Sequence, residues 1–147
     1  MESRNVIQKA PQNRGLNPTQ ATATPSCSGD ESSSDGVMKK LSELEEILDK
    51  IVTLANKDYY NEEERMVVSN VYSDIAMAVQ FVHCATLQPP KIENVKNFFY
   101  AFEYIGAARE RIVDIESWKA VNFLNAFSEL SFKIREIFNC IYEVKLR

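Results

Sequence analysis

Histidine, glycine and close cysteine pairs are what this chain has least of. Its single histidine is His83. A Ser-His-Asp or Cys-His set would have to use it, and its neighbour Cys84 would point about 100° away from it on a helix. A helical histidine at the margin of an apolar face is the expected reading. The three cysteines, Cys27, Cys84 and Cys140, form no CxxC pair, and one histidine cannot complete a usual zinc set. Their odd number and wide spacing suit free thiols in a reducing compartment. Cys84 and Cys140 fit as small core residues. After Gly36 the only glycine is Gly106, which excludes a glycine-rich phosphate loop, a nucleophile elbow, a dinucleotide fingerprint and glycine hairpin turns. No apolar run approaches the roughly 18 residues of a membrane span, and the first 30 residues lack the apolar centre of a secretory signal. Neither sign of charge dominates, with 17 Lys+Arg against 21 Asp+Glu. These absences argue against a membrane protein, a secreted disulfide scaffold and a polybasic nucleic-acid binder. They lead to the expectation of a non-enzymatic protein with no cofactor, no metal and no small-molecule substrate, located inside the cell, in cytoplasm or nucleus.

Aromatics are missing from one part of the chain only. The six Tyr, eight Phe and single Trp all lie between Tyr59 and Tyr142. Residues 1–36 carry three of the five prolines and three of the four glycines, among Gln, Asn, Thr and Ser. Such a segment cannot bury enough apolar area to offset about 1–2 kcal/mol per residue of backbone entropy. Residues 1–36 are therefore expected to form a disordered polar tail, and residues 37–147 a folded domain. Within the tail, Ser28 and Ser32 each have an acidic residue three positions on, Glu31 and Asp35. They are candidate phosphosites whose added charge would sit near the positive end of the first helix.

The remaining 111 residues carry helical spacing four times. Val37, Leu41, Leu44, Leu48, Ile51 and Ala55 recur at intervals of 4 and 3, one face of a helix. Asn61 followed by Glu64 has the residues of a capping box, with Glu62, Glu63 and Glu64 favoured by the helix dipole. Val67, Val71, Ile75, Ala78, Val82 and Ala85 continue a second helix, which Pro89-Pro90 ends. Ile92, Val95, Phe99, Phe102 and Ile105 suggest a third, with Gly106, Ala107 and Ala108 as a narrow patch for close approach of a neighbour. Ser117 is a plausible N-cap for the fourth, along which Phe123, Phe127, Leu130, Ile134, Ile137, Ile141 and Val144 form one stripe, broadened by Val121, Leu124 and Phe138. Short connections favour antiparallel neighbours. The expected fold is an all-α, up-down-up-down four-helix bundle, with a three-helix core plus a looser first helix as the alternative.

Function is expected to lie in apolar surface beyond these stripes. Trp118, Phe132 and Phe138 stand off the main stripe of the fourth helix and are candidate anchors for a protein partner or a second copy of the chain. The alternative is a small helical subunit of a nucleoprotein complex, touching nucleic-acid backbone only within that assembly. Net charge is −4 over residues 37–87 and +1 over 88–147, so its contacts would come from the second half: Lys91, Lys96, Arg109, Arg111, Lys133 and Arg135.

Overall fold

A computed structural model describes residues 34–142. Ser28, Ser32 and Cys27 lie outside that range, as does Val144. The described residues form four α-helices: α1 (Ser34–Ala55), α2 (Glu62–Thr86), α3 (Lys96–Ile112) and α4 (Ser117–Tyr142). No strand occurs among them. The first helix takes in Ser34, Asp35 and Gly36, so it begins three residues before the expected domain boundary.

The helices form one bundle. α2 packs chiefly on α3 and α1 chiefly on α4, while α1–α2 and α3–α4 contacts close the ring. Cross-links fix the directions. Lys40, Glu43 and Lys50 of α1 meet Glu136, Lys133 and Glu129 of α4 in descending order, so these helices run antiparallel. Asp74 meets Arg111 while Phe81 meets Tyr100 and Tyr104, an antiparallel α2–α3 pair. Phe98 meets Phe138 and Tyr142, which sets α4 against the start of α3. These pairings fit the up-down alternation. Leu44 and Ile51 of α1 are fully buried, so the first helix belongs to the core and the three-helix alternative falls away.

The centre includes Phe123, Phe127, Leu130, Ile134 and Ile137 of α4 together with Val71, Ile75 and Val82 of α2, all 0% exposed. That is the α4 stripe the spacing predicts. On α3 the expected stripe holds only in part: Val95 and Ile105 are buried and Phe102 packs against the core. The buried line is Phe98, Ala101, Ile105, Ala108 and Ile112, whereas Ile92 and Phe99 are 84% and 61% exposed. Ile92 precedes α3, in a 3₁₀ turn over Ile92–Asn94, and within α3 the buried line takes Phe98 rather than its neighbour Phe99, a step of about 100° around the helix. The small-residue patch also differs from expectation. A Cβ added at Gly106 would meet nothing within 4 Å, so no neighbouring helix makes a close approach there.

Candidate interaction surface

The start of α4 is pinned by a buried ionic knot. Asn61 caps α2 by accepting the Glu64 N–H at 2.8 Å, and the Glu64 carboxylate accepts the Asn61 N–H at 3.1 Å, the expected capping box. The same carboxylate then reaches across the bundle. It accepts from Lys119 Nζ at 2.6 Å and from the Glu116 N–H at 3.1 Å. Glu64 and Lys119 are both buried, and such a pair persists in the interior because every oxygen is hydrogen-bonded. The Lys119 bond holds the Glu64 carboxyl below the usual carboxylate range, and Glu64 in turn raises Lys119. Rings of Tyr59, Tyr60 and Trp118 stand 5.5 to 5.8 Å from the Lys119 ammonium, a cation–π setting. Burial pushes the Tyr60 hydroxyl well up, and that hydroxyl donates to the Leu54 carbonyl at 2.6 Å. One cluster thus ties the α1–α2 loop, the head of α2 and the α3–α4 turn together. The first intrahelical bond of α4 runs from the Ala120 N–H to the Glu116 carbonyl, so Glu116 rather than Ser117 occupies the capping position.

A second ionic seam flanks α4 on its α1 side. Lys133 Nζ lies 2.7 Å from Glu43 and 2.8 Å from Glu136, and Glu136 Oε1 also lies 3.6 Å from Lys40. Burial works against the Lys133 charge, but hydrogen bonds to Glu136 and Glu43 outweigh it and raise its pKa. The Lys133 bond lowers Glu43.

Between these anchors the outer side of α4 stands free. Trp118, Val121, Asn125, Ser128, Phe132 and Arg135 follow one another at intervals of 3, 4, 3, 4 and 3, and all six are exposed. Trp118 is 57%, Val121 47% and Phe132 59% exposed. At about 100° per residue, Val121 and Phe132 lie opposite the buried line through Phe123 and Leu130. Trp118 leans on Tyr59, with ring centroids 4.9 Å apart, so its indole is held in place while over half of it meets solvent. From Trp118 to Phe132 this line carries no charge.

The structure therefore brings two of the three expected anchors, Trp118 and Phe132, onto one line. Phe138 is not part of it. It packs against the core, with its ring 5.2 Å from Phe98 and 5.0 Å from Tyr142, because its position on the helix turns it towards α3. Val121 is a correction in the other direction: expected to broaden the inner face, it stands on the outer one. The six basic residues do not converge. Lys91 and Lys96 lie at one end of α3, Arg109 and Arg111 at the other. Arg111 is held by Asp74 at 2.8 Å and Lys133 by the seam just described. His83 sits at a helix margin as expected, its Nε2 2.6 Å from Glu45 Oε2. Cys84 is a free thiol but exposed rather than in the core. Cys140 is buried as expected. No helix among the described residues is long and apolar enough to cross a membrane.

The chain matches no family model, no curated protein and no solved structure.

Proposed function

We propose that this chain is a non-enzymatic interaction or assembly module that docks through the outer face of α4, with Trp118 and Phe132 as anchors and Val121 between them. The observation that carries this reading is the six-position outer stripe, exposed throughout and uncharged from Trp118 to Phe132. Large aromatics in a neutral strip with a polar surround are the composition of an interface centre. Rigid support strengthens the reading: the Glu64–Lys119 knot and the Lys133 seam fix the two ends of the strip, so little side-chain or backbone order would have to be gained on docking. Contact with nucleic-acid backbone is the weaker reading, because carboxylates already hold Arg111 and Lys133.

The test compares the proteins recovered from the native source by the wild-type chain and by a Val121→Asp/Phe132→Asp double variant. Partners that bind the outer face of α4 should be lost from the variant, while its helical circular dichroism stays unchanged. Recovery of the same set by both chains would rule this face out.

A further inference from the structure

The outer stripe of α4 is self-complementary, and this points beyond a generic partner. The intervals of 3 and 4 place Trp118, Asn125 and Phe132 at one heptad position and Val121, Ser128 and Arg135 at the other, the spacing of a coiled-coil seam. When two such seams run antiparallel, positions of the first kind face positions of the second on the partner. Every layer then matches chemically. Val121 faces Phe132 of the second copy, an apolar layer formed twice. Asn125 faces Ser128 of the second copy, a donor and acceptor pair at the centre. Arg135 faces Trp118 of the second copy, a guanidinium over an indole. Two-fold symmetry demands this kind of reciprocity, since each residue must meet its counterpart's partner. A parallel pairing would instead set Arg135 against Arg135. The flanks agree as well: Glu129, which is bonded to Lys50, would lie near Asn122 of the second copy, so no like charges meet.

We infer that the outer face of α4 pairs with the same face of a second copy of this chain, in an antiparallel arrangement with its two-fold axis between Asn125 and Ser128. This rests on the reading of that face as a docking surface and names its occupant. The seam from Trp118 to Arg135 is about 26 Å long. A single helix pair of that length buries less than the standard interface of roughly 1,600 Å², so the dimer is a weak one that dissociates on dilution.

Sedimentation of the full chain between about 1 μM and about 1 mM, the range that brackets weak association, should show its mass moving from one chain to two. Val121→Asp and Phe132→Asp should each hold the mass at one chain across that range. Because both sites are exposed, circular dichroism should show the fold intact, and Phe132→Ser, which adds no charge, should weaken the dimer at least several-fold. Orientation is read by replacing Phe132 with the photoreactive p-benzoylphenylalanine: irradiation should attach it to residues 118–124 of the second copy. Attachment to residues 129–135 would overturn the antiparallel register. A dimer that survives both Asp substitutions would place the contact elsewhere and overturn the inference. A single-chain mass at every concentration would do the same, while leaving the wider docking reading to the partner comparison, which does not depend on self-association.

Discussion

The two sides of α4 carry the same spacing and opposite fates. On the inner side Phe123, Phe127, Leu130, Ile134 and Ile137 are sealed from solvent. On the outer side Trp118, Val121, Asn125, Ser128, Phe132 and Arg135 are exposed. The inner line is apolar at each position. The outer line sets two short polar side chains, Asn125 and Ser128, between the apolar Trp118 and Val121 on one side and Phe132 on the other, and ends on a cation. A core-facing helix of a solitary bundle needs one apolar stripe of about 100° and a polar remainder. α4 has a second line, with Trp118, Val121 and Phe132 exposed on it, that the core does not use, and the proposed docking rests on that surplus. Substitutions on the two sides should therefore separate folding from association.

The largest effect belongs to the inner side. Phe127 is fully buried between helices, so Phe127→Ala removes a ring and leaves a cavity. The expected cost is about 3–5 kcal/mol, read as a shift of the urea midpoint at unchanged slope. A loss as small as that of an exposed residue would mean that the inner stripe is loosely packed, and the contrast between the two sides would fail.

Next come the groups that hold α4 in register. Lys119→Ala would leave the Glu64 carboxylate buried with its two backbone donors and no counter-ion. The melting temperature should fall by more than for any exposed ion-pair variant. A Glu64→Gln/Lys119→Met double variant should recover much of that loss, because it removes both charges from the interior together. Additive losses in the two single variants would refute coupling across the knot. Acid acts through the same residues. Glu64 and Glu43 have folded pKa values below their unfolded ones, so their contribution is complete above the unfolded value near 4.3 and disappears as pH falls through the lower folded value. Thermal stability should thus hold from neutral pH down to about 5 and decline below about 4, less steeply in Glu64→Gln. Lys119 and Lys133, both raised, keep their contribution below their unfolded value near 10.4 and lose it only at higher pH.

What was legible beforehand follows the regularity of each pattern. The inner stripe of α4 is read correctly because its 3–4 spacing runs uninterrupted, and the capping box at Asn61 because both its members are local in sequence. The stripe of α3 is misread in part because adjacent Phe98 and Phe99 are equally apolar, and spacing alone does not choose which of them faces the core. Val121 is misread by its chemistry. Its position, two residues from Phe123 and so about 160° around the helix, places it outside, but an apolar β-branched residue suggests the core. Lys119 carried a visible warning, a lysine one turn before Phe123 on the inner line. Its partner Glu64 is 55 positions away, a pairing that only the folded bundle creates.

The smallest expected change in intrinsic stability sharpens the contrast most. Lys50 and Glu129 bridge α1 and α4 at 3.0 Å with both side chains largely exposed, so Lys50→Ala should cost no more than about 0.5 kcal/mol. Phe132→Ala should be as mild in dilute solution, within about 0.5 kcal/mol of wild type, because the ring meets solvent and alanine is the better helix former. Concentration then separates the two variants. Any association that engages folded chains stabilises them by mass action, so the wild-type and Lys50→Ala melting temperatures should rise with protein concentration. The Phe132→Ala curve should stay flat, since the apolar layer of the proposed pairing would have lost its larger half. Parallel concentration dependence in all three proteins would mean that Phe132 takes no part in association, and the outer stripe would be surface like any other.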